Sequence, residues 1–291
     1  MRHERPVDGV ARSGDDLSGL RLKPLERPVT VDEFIRVFEA LQRLDHLGPS
    51  PECDAFCGEL ASMSISTGSG GADSFFDQPA VAERLVQVRE MFALAEYLRE
   101  AAWARRIASE SSREEAWSRL PFRRNYERLV AFEAYAAMAC AERPVNRCLM
   151  VGSGPVPISA MMLALLLGGV RVDALDIESD AVELGRKVCL AMGSDVNFVC
   201  GSAAEFEDYD EYDLVLLGAS VELAHAERVA VVEHVASKMP TGAALVVRTA
   251  HDMRRLLVPQ LDPNDIEAID WQFLVRPLGR VVNSVIVGVR P

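Results

Sequence analysis

The sequence predicts an α/β protein, a mostly parallel sheet with crossover helices, preceded by an all-helical stretch. Three observations carry this reading. Past Pro144, short runs rich in Val and Leu ("RCLMVG", "VRVDALDI", "VNFVCG", "YDLVLLG", "ALVVRTA") alternate with helical segments. Runs that are apolar throughout suit strands covered on both faces, and helix-length spacers between them suit parallel pairing. Before Pro144 there is no strand signal, and apolar residues recur at helical spacing instead. Near the end, "WQFLVRPLG" and "VVNSVIVGV" stand close together with no helix between them, which predicts an antiparallel pair added to the sheet.

Taken in order, residues 1–28 are charged and punctuated by proline, and predict a loose tail. "TVDEFIRVFEALQRL" opens with Thr30 three residues before Glu33, a capping box at the start of an amphipathic helix. "SPECDAFCGELASM" predicts a second helix, and the Gly/Ser-rich "STGSGGADS", 66–74, a mobile loop and candidate lid. A long helical pattern runs from Gln78 to about Ser109. "SSREEAWSRLPF" breaks at Pro121, and "RNYERLVAFEAYAAMACAE" is helical again. The expected division is a flexible tail, 1–28, a helical N-terminal domain, 29–143, and a sheet domain, 144–291.

The chain has 291 residues, 49% hydrophobic and 26% charged, enough for one large domain or two ordinary ones with a real core. Lys and Arg number 31 against 44 Asp and Glu, and no basic run stands out to neutralise phosphates, so a nucleic-acid partner is not expected. The N-terminus lacks the apolar core of a signal peptide, and "AMMLALLLGGV" is too short to span a membrane. Six scattered cysteines predict reduced core thiols and a cytoplasmic protein. Cys53 and Cys57 share a helix face, but no second pair of Cys or His follows, so no metal site is expected.

The chemistry begins at "VGSGPVP". Gly152 and Gly154, with Ser153 between them, allow positive φ and close approach of a ligand to the backbone. Pro157 fits the first turn of the following helix, while Pro155 offers no amide, so the turn is poor at wrapping a pyrophosphate. Asp176, followed by Ile177, ends the second strand 22 residues beyond Gly154, where a carboxylate can hold two ribose hydroxyls. An adenosine without phosphates fits better than a dinucleotide, and points to S-adenosylmethionine as co-substrate. A plain βα turn is the competing reading. Ser202 and Ala203 end the third strand beside the expected adenine. Gly218, Ala219 and Ser220 end the fourth, bordering the methionine part and the acceptor, unless they merely ease strand-to-helix packing. The whole pattern resembles the class I methyltransferase (Rossmann-like) architecture.

On the long helix Glu96 falls on the face of Leu85, Phe92 and Trp103, so it points inward. A carboxylate on an apolar stripe is costly unless paired, which makes it a functional candidate or one half of a pair with Arg99. Glu100 lies farther round the helix and is the alternative.

"GSGPVPIS", "LPFRRNYERLVAFE", "LVVRTAHDMRRLLVPQL" and "VVNSVIVGVR" together resemble the nicotianamine synthase family. "GPSPECDAFCGEL" resembles the Ser-Pro-Ser-Pro segment of its plant members, and "ALAEYLREA" its AEG-LE helix. The matches run from about residue 45 to the C-terminus. The resemblance implies transfer of the 3-amino-3-carboxypropyl group of S-adenosylmethionine onto an amine, with release of methylthioadenosine. It implies a catalytic glutamate at Glu96 and a hydroxyl at Tyr126 that orients the amine or the cofactor tail, against a plain core tyrosine. His251 matches the family's SAH segment, against a purely structural histidine. Arg254 or Arg255 is a candidate for a substrate carboxylate, unless both belong to a surface helix. Asn283 and Ser284 are expected to stabilise the hairpin.

Phe122 and Arg123 stand where plant members carry a Tyr-Tyr pair, which implies a different acceptor or number of transfers. The bacterial branch of the family, which makes opine-type metallophores, implies one transfer to histidine and completion by an opine dehydrogenase. No metal is needed for catalysis. A second copy of the chain is a further expected partner. The alternatives are a nicotianamine-type synthase, a small-molecule N-methyltransferase and a degenerate S-adenosylmethionine-binding regulator.

Overall fold

The structure, a computed structural model, describes residues 24–66, 71–109, 111, 113–121, 123–278 and 281–291. Residues 1–23 of the expected tail and 67–70 of the 66–74 segment therefore lie outside the described residues, as does Phe122.

Among the described residues seven helices come first: α1 (Val31–Gln42), α2 (Pro51–Ser64), α3 (Ala72–Phe76), α4 (Pro79–Ala82), α5 (Leu85–Ala108), α6 (Arg113–Arg119) and α7 (Arg123–Cys140). Thr30 caps α1 as its sequence requires, its hydroxyl accepting from Glu33 N and Glu33 reaching back to the Thr30 amide at 3.1 Å. One expectation fails. The end of the Gly/Ser-rich segment is helical, because Phe75 and Phe76 are buried and Phe75 meets Phe34 edge to face at 6.0 Å. Burial of two aromatic rings outweighs the loop composition around them.

Strands and helices then alternate, save that only a 3₁₀ turn (Asp208–Glu211) separates β3 from β4: β1 (Arg147–Val151), α8 (Ile158–Leu166), β2 (Arg171–Asp176), α9 (Ser179–Met192), β3 (Asn197–Cys200), β4 (Leu214–Leu217), α10 (His225–Lys238) and β5 (Ala244–Thr249). β6 (Asp270–Val275) and β7 (Ser284–Val289) close the chain. The strand order is β3-β2-β1-β4-β5-β7-β6, parallel through β5, with β7 antiparallel to both its neighbours. This is the class I methyltransferase-like, Rossmann-like arrangement that the apolar runs predict.

Alternation along β1 explains the layers. Cys148 and Met150 face α7 and α8, while Leu149 and Val151 face α10 with Tyr209 and Tyr212. Thus α7, last of the helical stretch, covers one face of the sheet. Helices α1 to α5 pack together against the segment that follows β5, and α5, α6, α8 and α9 share a further cluster around Trp103 and Ile107.

Register positions the site. Val151 pairs with Leu175 on one side and Leu217 on the other, and Asp176 pairs with Cys200. The residues that follow, Gly152, Asp176, Gly201 and Gly218, therefore reach one sheet edge together. That edge lies where the chain order reverses around β1, the place where open parallel sheets form their ligand crevice. Among the described residues no helix is long and apolar enough to cross a membrane.

Candidate active site

A cavity of about 860 Å³ occupies this crevice, between the strand ends and the inward faces of α5 and α7. Its size is that of a pocket for a nucleoside-sized ligand with further room beside it. Gly152, Ser153, Gly154, Pro155, Asp176, Ile177, Ser202, Ala203, Gly218, Ala219, Ser220, Glu96 and Tyr126 all line it.

The glycine turn answers the phosphate question directly. The Gly152 and Ser153 amides donate to the Leu175 carbonyl at 2.8 and 3.3 Å, and the Gly154 amide donates to Asp176 Oδ2 at 2.8 Å. Pro155 has none to offer. The amides of Gly152, Ser153 and Gly154 are thus taken by the protein, so the two glycines and the serine between them offer none to a pyrophosphate. Asp176 also accepts from the Glu178 amide at 3.0 Å. The two backbone donors fix the carboxylate, and each oxygen keeps acceptor capacity for a ligand hydroxyl. Gly154 has φ +67°, and a Cβ there would stand 2.7 Å from Glu100 Oε2. Ser153 is buried and its Oγ has no hydrogen-bond partner among the described residues. Ile177 leaves 66% of its surface open, an apolar wall on a cavity otherwise rich in charge. Ser202 Oγ accepts from the Ala204 amide at 3.2 Å. At Gly218 a Cβ would meet the Val151 carbonyl oxygen at 3.0 Å, so close packing and cavity lining both require glycine there.

Two carboxyls on successive turns of α5 face this floor. Glu96 pairs with Arg99, whose guanidinium also holds Asp54 of α2 at 2.7 Å, so the pairing weighed from sequence exists. Burial raises the Glu96 carboxyl and Arg99 opposes the rise. Among the described residues no ion pair holds Glu100, although the charges of Arg99 and Arg248 oppose its rise. Burial, then the charges of Glu96 and Asp176, push it up to about 8. Burial and Glu100 also raise the Tyr126 hydroxyl, which keeps its proton and remains a donor.

The structure adds Arg248, which reads as an oddity in an apolar strand. It is buried at the end of β5, bonded through Nε to Glu133 Oε1 at 2.8 Å and through a terminal nitrogen to Glu133 Oε2 at 2.9 Å and Ser159 Oγ at 2.8 Å. Its guanidinium lies 5.7 Å over the Tyr126 ring. Glu90, Glu96, Glu100, Asp176, Glu178, Glu222 and Glu227 line the cavity, whereas Arg248 is already matched by Glu133. The cavity therefore favours positively charged ligands.

Two expected substrate contacts do not reach it. His251 is buried outside the cavity, its Nδ1 without a partner and its ring held below the usual histidine value by burial and then by Arg276. Arg254 is not among the residues that line the cavity and donates from Nε to the carbonyl of Val281, which does line it, at 3.0 Å. Arg255 pairs with Asp73 at 2.5 Å over the Phe76 ring. Asn283, expected only to support the hairpin, borders the cavity, while Ser284 is buried in β7. Arg123 pairs with Glu127 at 2.6 Å and lies over the Trp117 ring. Cys53 and Cys57 face each other in the helical core, Sγ atoms 3.9 Å apart. Among the described residues no group of three or more His, Cys, Asp or Glu could hold a metal.

Against known proteins, the model of the family described as "Nicotianamine synthase protein" matches residues 25–291. Nicotianamine synthase 9 of Hordeum vulgare is 30% identical over 273 residues, 91% of this chain and 80% of the relative. Nicotianamine synthase 3 of Oryza sativa subsp. japonica is 31% identical over 272 residues, covering 90% and 78%. Among solved structures, MtNAS in complex with MTA and tNA superposes with a TM-score of 0.76 at 22% identity, over 89% of this chain and 97% of that one. A Glu-to-Gln mutant of MtNAS in complex with S-adenosylmethionine gives 0.75 at the same identity and coverage. These structures share the fold.

Proposed function

The chain belongs to the nicotianamine synthase family, and from that premise we propose that it transfers the 3-amino-3-carboxypropyl group of S-adenosylmethionine to the α-amine of histidine, releasing methylthioadenosine. The observation that carries this reading is Glu100 poised over a glycine turn whose Gly152, Ser153 and Gly154 amides are in use, within an acidic cavity. Such a site suits adenosine bearing a sulfonium rather than a phosphate chain.

The roles follow from position. Asp176 takes the ribose hydroxyls, Ile177 with Ser202 and Ala203 borders the adenine, and the unpartnered Ser153 Oγ meets a polar group of the nucleoside or tail. Gly218, Ala219 and Ser220 border the methionine end. The acceptor amine loses a proton to Glu100, and its lone pair attacks the carbon of the transferred group next to sulfur. That C–S bond breaks with its electrons on sulfur, and the sulfonium leaves as a neutral thioether. A base with a pKa near the working pH suits this step, which favours Glu100 over the Arg99-bound Glu96. The Tyr126 hydroxyl orients the acceptor or tail, and no metal enters any step.

Histidine is supported by the acidic lining, since its imidazole gains a positive charge just below neutral pH. In this reading the product passes to an opine dehydrogenase, and the reduced buried thiols fit a cytoplasmic setting. Condensation of several S-adenosylmethionine molecules into nicotianamine is the second reading, favoured by the plant relatives.

Mass spectrometry of the purified protein with S-adenosylmethionine, with and without histidine, decides. Methylthioadenosine with a histidine adduct carrying one transferred group is the expected result. Nicotianamine formed without added amine would establish the second reading, and S-adenosylhomocysteine would sink both in favour of methyl transfer. Gly154→Ala is expected to weaken methylthioadenosine binding about tenfold or more in calorimetry, because a left-handed alanine costs about 1–2 kcal/mol before its clash with Glu100 is counted.

A further inference from the structure

The loop between β4 and α10 forms the wall of the cavity nearest the expected methionine end, residues 218 to 224 all bordering it. Beneath that wall lies Arg228, in the first turn of α10 and fully buried. One of its terminal nitrogens donates to the carbonyls of Ala219 at 3.2 Å, Val221, and Glu222 at 3.4 Å. The other donates to Gly218 at 3.2 Å and to Arg248 on β5. Only Nε lacks a partner.

Four carbonyls of one short loop do not converge on a point without distortion. The cost appears at Glu222, which adopts φ +52°, a left-handed conformation uncommon for glutamate. A second buried arginine extends the arrangement, as Arg89 of α5 donates to Leu223 O at 3.3 Å and to Arg255 O at 2.5 Å. A leucine on this face of α10 would fill the space without burying a charge, and an uncompensated buried cation costs several kcal/mol. What the guanidinium provides, and an apolar side chain would not, is a fixed backbone path. It also ties the loop to the residue whose side chain meets Glu133 and Tyr126 on the far side of the cavity.

We propose that Arg228 is a positioning residue for group transfer, fixing the loop wall that aims the aminocarboxypropyl tail at the acceptor amine and away from water. This rests on the transfer reading above. When the wall loosens, water competes: its oxygen bonds to the carbon next to sulfur, the C–S bond breaks onto sulfur, and the products are homoserine, methylthioadenosine and a proton.

The test compares wild type with Arg228→Lys and Arg228→Met. Lysine keeps a charge but lacks the planar fork that reaches five carbonyls. Three quantities are read: methylthioadenosine affinity by calorimetry, kcat for the amine adduct, and methylthioadenosine released per adduct. Nucleoside affinity is expected to stay within about threefold, because Asp176 and the glycine turn hold that part. Adduct kcat is expected to fall about 10²-fold, the scale of a small misplacement of reacting atoms, with methylthioadenosine rising above one per adduct. A ratio that stays at one, or nucleoside affinity lost in step with kcat in both variants, would overturn the proposal. Should Arg228→Met fail to fold, Arg228→Lys carries the same readouts. A wild type that releases no methylthioadenosine would bring down the transfer reading itself, whereas normal coupled turnover in the variants would bring down only the role of Arg228.

Discussion

Glu100→Gln is expected to bind S-adenosylmethionine normally and to lose turnover by about 10²–10⁴-fold, the usual contribution of a positioned base. The amide keeps the shape of the side chain over Gly154 but cannot take the amine proton. The pH dependence carries a sign. In the free enzyme the carboxyl sits at about 8, raised by burial and then by Glu96 and Asp176, so kcat/KM should rise with pH through that value. A bound sulfonium favours the carboxylate, so the matching limb in kcat should lie at lower pH. Stability moves the opposite way. Between the ordinary carboxyl value and about 8 the folded chain holds a proton that the unfolded chain has lost. Its contribution is therefore fully present below the ordinary value and disappears as pH rises through about 8. Thermal melts of Glu100→Gln should lack this slope. Glu96→Gln provides the contrast: it leaves the proton acceptor in place, removes the charge that helps to raise it, and should shift the kcat/KM limb to lower pH. If Glu96→Gln abolishes turnover while Glu100→Gln does not, the assignment of the base is reversed.

Arg248→Met is expected to destabilise the fold by about 3–5 kcal/mol, since it leaves the fully buried Glu133 carboxylate without its partner. Chemical denaturation of the variant gives the number directly. Adding Glu133→Leu should recover most of the loss, because a matched apolar pair replaces a buried ion pair at little cost. The double variant would still lack the cation over Tyr126, so recovered stability without recovered turnover would separate the two duties of Arg248. A single variant within about 1 kcal/mol of wild type would show that Glu133 is not dependent on it.

The inner strands β1, β2, β4, β5 and β7 were legible because they are buried along nearly all their length and read as apolar runs, and the α1 start because a capping box is local. The glycine turn and Asp176 were legible for the same reason, their spacing being a property of one βαβ unit. What failed depends on distant chain. The 72–76 helix exists because Phe75 finds Phe34, which no count of glycines and serines reveals. Arg248 reads as an interruption until Glu133, 115 residues away, is placed beside it. His251 and Arg254 follow β5 in irregular and 3₁₀ backbone, where no period tells which way a side chain points. Of the two glutamates on α5, helical spacing ranked Glu96 first. It could not show that Arg99 turns toward Glu96 and leaves Glu100 above Gly154.

The carboxylates lining the cavity have a consequence for how a catalytic cycle ends. Group transfer moves positive charge from sulfur to nitrogen, so the departing nucleoside is uncharged. The field that draws in a sulfonium has no comparable hold on a thioether. Reactant and spent nucleoside share the methylthioadenosine part, and the reactant adds to it the sulfonium charge and the aminocarboxypropyl arm. The chemistry thus switches off the attraction that preceded it, and the spent nucleoside is no longer held by the field that drew the reactant in.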